Sequence, residues 1–465
     1  MTTRRLPVAP SPGPLEEYAT RFDDLFRARA QREAFRRYLE GLLLPAERNK
    51  TLTALANTEP VAGAQRKEAQ SLQWFLSESG WEQQEFNERR LELLLEDRST
   101  AANKEGVLVI DEHGDRKWGN KTAHVGRQWL ANIGKTENGV VSVSSLWADE
   151  GVYWPVDFEP YTPAHHFRSG KNDLAFRTKL KLASDLVEKA VGRGILFRAV
   201  VADSFYGEDQ GFKRSLEELG VAYVLSLKKS HSWWHVPGTI GALWEAALAA
   251  EWEGAQETGG WEKVVRRFRD GHSEDWWALE VEAGPYGTER AKRALVVTID
   301  PATLPDLATW YLTTNLPAPG SERKADSSAL APASVAEVVR LYGLRMWVEQ
   351  SYKQVKHVLG WSDYQVRSDR AIRRHWLLTC LAFSFCWWAY GRLPASPDSP
   401  AERPEDDLPC EPVKAGEDAN VLAGDLEGGE GMARAVGDAV ALLEGVLRSA
   451  PTDRVKSAAR TGVFG

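Results

Sequence analysis

The 465 residues are 43% apolar and 27% charged, with 23 Pro, 38 Gly and three Cys, which excludes a collagen-like, wholly disordered or disulfide-stapled chain. The length allows two or three domains. A formal net charge of −8 argues against a uniformly basic protein, but residues 391–465 alone hold 14 acids against 8 bases, so the rest is near neutral and free to present a local basic face.

The first residues, MTTRRLPVAPSPGP, lack the apolar centre of a secretory signal. The longest apolar stretch, 376–390, falls short of the ~20 residues of a membrane span. A cytoplasmic protein without membrane contact is the expectation, with residues 1–13 disordered. Residues 14–98 read as helices, with apolar residues at helical spacing through LEEYATRFDDLFRARAQREAFRRYLEGLLL and SLQWFLSESGWEQQEFNERRLELLLED. Arg21, Arg27, Arg29, Arg32, Arg36 and Arg37 on the first stretch fit either a solvated face or a phosphate-contacting helix.

At residue 106 the pattern changes to short apolar runs alternating with helical segments, the pattern of an α/β domain. Strands are expected in GVLVIDEHG, at 140–146, in ILFRAVVAD at 195–203, at 223–227, 294–299 and 310–314. Helices are expected at 174–191 and 212–219. Between them, residues 230–290 crowd Trp233, Trp234, Trp244, Trp252, Trp261, Trp276 and Trp277 among short alternating runs, which reads as a β-rich insertion. A helix beginning SVAEVVRLYGLRMWVEQSYKQVKHVLG follows, with Ser334 and Glu337 as a capping box and Gly360 as its stop. An apolar core helix covers 375–390, and the Pro-, Gly- and acid-rich stretch beyond it reads as a disordered tail with one short helix at 433–447.

Two acids end buried apolar runs, Asp111 after VLVI and Asp203 after AVVA. One such Asp has an ordinary explanation as a helix cap or ion pair; two in one α/β domain point to a ligand crevice at the strand ends. On the capped helix Tyr342, Arg345, Glu349 and Lys356 fall within a stripe about 60° wide at 100° per residue. A salt-bridged, solvated face remains the alternative for that stripe.

The spacing Y-(2)-R-(3)-E-(6)-K at Tyr342, Arg345, Glu349 and Lys356 resembles the signature of cut-and-paste bacterial insertion-sequence transposases of the DDE superfamily. LVIDEHGDRKWG and GRQWLANIGK resemble the first-Asp block and the one after it, VVADSFYG the second-Asp block, and WSDYQVRS the segment after the Glu helix, over roughly residues 15–390. Where one subgroup reads Asp-Asp-Thr, this chain has Asp111-Glu112-His113; the catalytic role is assigned to Asp111, with Glu112 on the opposite side of the strand and His113 in a loop hydrogen bond. The resemblance implies an RNase H-like mixed sheet flanked by helices. Its parts are a helical DNA-binding domain at 14–98, a catalytic domain at 104–229 and 291–390 interrupted by the insertion at 230–290, and the acidic tail at 391–465.

It also implies a catalytic triad of Asp111, Asp203 and Glu349 holding two Mg²⁺ or Mn²⁺ ions, a hard cation choice that an oxygen-only donor set supports. Arg345, Lys356, Tyr342 and, more weakly, Lys228 are expected to contact DNA. Seven bases against three acids between Arg345 and Arg374 supply the local basic face. The expected partners are the double-stranded terminal inverted repeats and target DNA, with a homodimer holding two ends and a nucleoid-associated location when bound. The triad alone leaves two alternatives: an RNase H-like nuclease that cuts without joining, and an inactive DNA-binding descendant. A carbohydrate hydrolase using two carboxylates gives no reason for the basic stripe.

Overall fold

In a computed structural model of the chain, which describes residues 10–11, 13–44, 48–235, 239–267, 272–281, 293–304, 309–320, 330–390 and 392, the run after residue 106 becomes the central strand β1 (Val107–Arg116). Val107, Leu108, Val109 and Ile110 are wholly buried, as a strand covered on both faces requires. β1 does not end at Asp111, as the apolar run suggested; it continues through five more residues, every one paired with a partner strand.

Strand β2 (Gly126–Leu130), strand β3 (Lys135–Ala148) and strand β4 (Tyr153–Tyr161) follow. β3 lies antiparallel to the whole of β1, and β2 and β4 share its other edge. β2 and β4 are not among the expected strands. β4 reads YWPVDFEPY, and its two prolines are tolerated because it pairs on one side only. Its acids are neutralised: Asp157 pairs with Arg193 at 2.7 Å, and Glu159 with Lys189 at 2.6 Å and Arg373 at 2.8 Å.

Helix α6 (Lys179–Gly192), capped by the Thr178 hydroxyl, leads to β5 (Ala199–Ala202), and the helices α7 (Ser204–Gly207) and α8 (Gln210–Glu218) lead to β6 (Tyr223–Ser226). β5 is parallel to both β1 and β6. An antiparallel β4-β3-β1 unit continued by two parallel strands is the RNase H-like arrangement expected from the sequence.

A small hairpin of β7 (Ser232–His235) and β8 (Thr239–Ala242) and the short α9 (Leu243–Leu248) come next. Then β9 (Glu262–Arg267), β10 (Ser273–Val281), β11 (Arg293–Thr298) and β12 (Thr309–Thr314) run as a meander. β12 pairs with β6, so this meander extends the central sheet, which among the described residues has ten strands. Alternation along β10 explains the aromatic richness: Trp276 and Ala278 face the main core, while Trp277, Leu279 and Val281 join a second cluster with Trp261. Arg266 lies between the rings of Trp276 and Trp310, 4.4 and 4.7 Å away.

Helices α1 (Gly13–Thr20), α2 (Arg29–Leu43), α3 (Leu52–Leu55), α4 (Lys67–Ser77) and α5 (Gln83–Glu96) precede the sheet, and α10 (Val335–Gly343), α11 (Met346–His357) and α12 (Asp369–Tyr390) close the described chain. α12 is buried from Ile372 to Ala389 save for the partly exposed Arg373, and α1, α2, α4 and α5 pack against it. The N-terminal helices thus share one hydrophobic core with the sheet. Their arginines are only partly solvated: Arg36 is buried between Glu16 and Asp23, both at 2.7 Å. Buried Arg90 donates to the carbonyls of Pro155 and Val156 and to Ser384. Apart from Arg392, the tail and its expected helix at 433–447 lie outside the described residues, as do residues 1–9. No described helix is long and apolar enough to cross a membrane.

Candidate active site

The parallel register of β1 and β5 brings two acids together. Ile110 is level with Ala202, so Asp111 and Asp203 are the next residue on each of two adjacent strands, which lie ~4.8 Å apart. β5 stops at that point, and the Asp203 carboxylate caps α7 by accepting the Phe205 amide at 3.0 Å. Asp111 is 8% exposed. Burial pushes its pKa up to about 7, against the pull of Arg345 and with a further push from the charge of Asp203.

Glu349 arrives from the other direction, on the first turn of α11. The helix expected as one piece is two. At Leu344–Arg345 the backbone bonds tighten to a three-residue step, with Arg345 N donating to Tyr342 O at 3.0 Å and Val348 N to Arg345 O at 3.0 Å. The expected stripe is therefore not continuous, and its four members have different surroundings.

Tyr342, at the end of α10, is 8% exposed and its ring packs edge-on against Trp310, with centroids 5.0 Å apart. Arg345 sits at the joint with its guanidinium 3.2 Å from Asp111 and 3.6 Å from Glu349. The Glu349 side chain is 70% exposed. Lys356 points away from these acids and pairs with Asp115 at 3.3 Å. Lys228 is exposed just past β6, where its amide donates to Glu208 at 2.8 Å.

Sequence reasoning missed the polar network beside the two aspartates. His113 is part of β1, not a loop. Its Nε2 lies 2.9 Å from Asp115, and its ring packs on Tyr352 with centroids 4.8 Å apart. Asp115 also accepts from Ser362 at 2.6 Å. Burial alone would raise the Asp115 pKa, but His113, Lys356 and Ser362 hold it well below the usual carboxylate range. Lys117 donates to Ser362 O at 2.8 Å and lies 3.5 Å from the centre of the Tyr364 ring; burial draws its pKa down to about 8. Glu112 does point to the opposite face, where it pairs with Lys179 at 2.8 Å. The available signal was period-2 alternation continuing through D-E-H-G-D, which places residues 111, 113 and 115 on one face.

Among the described residues no three His, Cys, Asp or Glu side chains come close enough together to hold a metal ion. The pair Asp111–Asp203 nonetheless fits a hard divalent cation: both donors are carboxylate oxygens, and Arg345 is the cation that balances their mutual charge among the described residues. Glu349 is the further oxygen donor within reach of that arginine.

Residues 21–240 match the family described as DDE superfamily endonuclease, and residues 177–385 match the transposase DDE domain. A curated protein of Microchaete diplosiphon, described as a probable transposase for insertion sequence element IS701, is 32% identical over 361 residues, which span 77% of this chain and 83% of that protein.

Proposed function

The chain belongs to the DDE superfamily of insertion-sequence transposases, and from that premise we propose that Asp111, Asp203 and Glu349 are the acids that carry its reaction. It is a metal-dependent DNA endonuclease and transposase that acts at transposon ends. The observation that carries the residue assignment is the register that sets Asp111 and Asp203 side by side at the end of β5.

Asp111 and Asp203 would hold divalent cations, Mg²⁺ or Mn²⁺ and two in number, with Glu349 completing the donor set. Bound there, the cations supply activation of the attacking oxygen and charge stabilisation at the leaving oxygen of a phosphodiester. The chain's own contribution is positional. β1 and β5 fix the two aspartates on a rigid sheet, and the joint between α10 and α11 brings Glu349 in from a separate element. Arg345 balances the Asp111 charge before substrate arrives, and its planar fork suits a DNA phosphate afterwards. Lys356, through Asp115, ties α11 to β1 and acts on the geometry of Glu349. Water first attacks the strand at the transposon end; the freed 3′-hydroxyl then attacks target DNA, with two subunits holding the two ends.

The test is cleavage of labelled DNA carrying the element's end, with Mg²⁺ or Mn²⁺, comparing wild type with Glu349→Gln. The expected result is nicking at the element boundary that the variant lowers by at least 10²-fold, with joined product once target DNA is added. Cutting without joining would favour a nuclease. Binding without cutting by the wild type would point to an inactive descendant and remove the role assigned to the three acids.

A further inference from the structure

A second surface shares the sheet face that bears Asp111. Residues directly opposite in an antiparallel pair point the same way, and alternate residues share a face. Asp111, His113 and Asp115 stand with Ser144, Ser142 and Val140 of β3. The next places along β3, Asn138 and Thr136, are opposite Arg127 and Trp129 of β2, so these two stand on the Asp111 face. Trp129 is 53% exposed, and Trp118, just past β1, is 81% exposed with Arg116 packed on its ring.

The charge of the segment that carries this surface is one-sided. Residues 116–138 hold five bases and a single acid, Glu137, which is shared by Arg116 at 3.3 Å and Lys135 at 3.6 Å. Lys117 is turned inward. Lys121 and Arg127 are exposed and have no carboxylate partner among the described residues. The amide of Ala123 donates to the carbonyl of Arg367 at 2.8 Å, which sets the exposed Arg367 beside the same loop. Unpaired cations around a wet indole suit a polyanion whose phosphates take the charges and whose sugars cover the ring.

We propose that the β1–β2 loop and β2, through Lys121, Arg127, Trp129 and Arg367, form an accessory clamp on duplex DNA, separate from the three acids. The clamp rests on the transposase reading above and locates a second point of contact for the same substrate. Along β3, from Ser144 opposite Asp111 to Asn138 opposite Arg127 is six strand residues, about 20 Å. One turn of B-DNA is about 34 Å, so the clamp meets the duplex about 0.6 of a turn, about six base pairs, from the phosphate being cut.

The experiment is fluorescence anisotropy with the full chain and a labelled duplex carrying the element's end, in EDTA, across a salt series. The triple variant Lys121→Ala/Arg127→Ala/Arg367→Ala alters exposed side chains only, and circular dichroism checks that it folds. Three lost phosphate contacts are expected to reduce the slope of log K against log salt by about 2.7, and Trp129→Ala to weaken binding several-fold. Trimming the duplex one base pair at a time, from either side of the cut, should cost the wild type a matching share of that slope and cost the triple variant little. The side on which this happens distinguishes transposon from flanking DNA. An unchanged slope in the triple variant overturns the clamp while leaving the transposase reading intact. Failure of the wild type to bind end DNA overturns both. A change in sedimentation for Trp118→Ala/Trp129→Ala with the salt slope unaltered would assign the surface to contact between copies of the chain, and would also overturn the clamp.

Discussion

Asp115 stands four residues beyond Asp111, enclosed with His113, Ser362 and Lys356 around its carboxylate. Asp115→Asn keeps the shape and one hydrogen bond but leaves Lys356 without its counter-charge in a mostly enclosed place. A loss of about 3 kcal/mol in unfolding free energy is expected from denaturant titration. Cleavage should fall as well, because the same bond ties α11 to β1. Asp111 stood out in the sequence only together with Asp203, because one acid after a buried apolar run has an ordinary explanation as a helix cap or ion pair. Asp115 did not, since D-E-H-G-D has the composition of a loop. The ladder to β3 holds that run in the strand, and Gly114 leaves room there for Leu130 of β2, whose Cδ2 would lie 2.7 Å from an added Cβ.

Two elements make their own predictions. α7 lies so close to β6 that a Cβ on Gly207 would sit 1.9 Å from the Ser226 carbonyl oxygen. Gly207→Ala must lift α7, and with it Asp203, which caps that helix. A fall of at least tenfold in cleavage is expected, with thermal denaturation reporting a smaller loss of stability. α12 carries the fully buried His375, whose Nδ1 accepts from Tyr38 of α2 at 2.8 Å and whose Nε2 donates to the Gly360 carbonyl at 2.9 Å. Burial draws its pKa from 6.5 down to about 4. Between those values the unfolded chain binds the proton and the folded one does not, so stability falls as the pH falls from 6.5 towards 4, by up to about 3 kcal/mol. Unfolding of wild type and His375→Gln compared at pH 7 and pH 4.5 checks this: the variant should lose less over the interval. The periodicity of 334–360 read correctly as helical but could not show the joint at Leu344–Arg345. That joint is made by hydrogen-bond pattern, which side-chain spacing does not record.

At the scale of the molecule, the helices before residue 98 cover an apolar helix from the far end of the chain. Tyr18 packs on Phe385 and Trp388, and buried Arg374 donates to the carbonyls of Phe75, Leu76 and Trp81. Deleting residues 1–98 should therefore leave a product that binds a hydrophobic dye and lacks a cooperative unfolding transition, in contrast to the clean excision that a free-standing DNA-binding domain would permit. The α/β alternation was readable, because buried strands announce themselves as apolar runs; the RNase H-like arrangement was implied only by the resemblance of the Asp and Glu blocks. The joining of β9 and β10 to the same sheet was not readable, since pairing partners far apart in sequence leave no local mark.

That sideways growth has a consequence for how the chain can vary in length. The strands β12, β11, β10 and β9 are all added at one edge, so Asp111 and Asp203 keep their neighbours however many follow. The chain returns through the meander itself: β9 lies outermost, β12 comes back beside β6, and α10 then leads to the Glu349 turn. Each pair of strands added at the far edge would widen the sheet by about 10 Å and leave β12 beside β6. Relatives with a wider sheet should therefore carry their extra residues between β6 and β12 and keep the same spacing from β12 to the Glu349 turn: the strand beside β6 is the anchor from which Glu349 reaches, however far the sheet has spread.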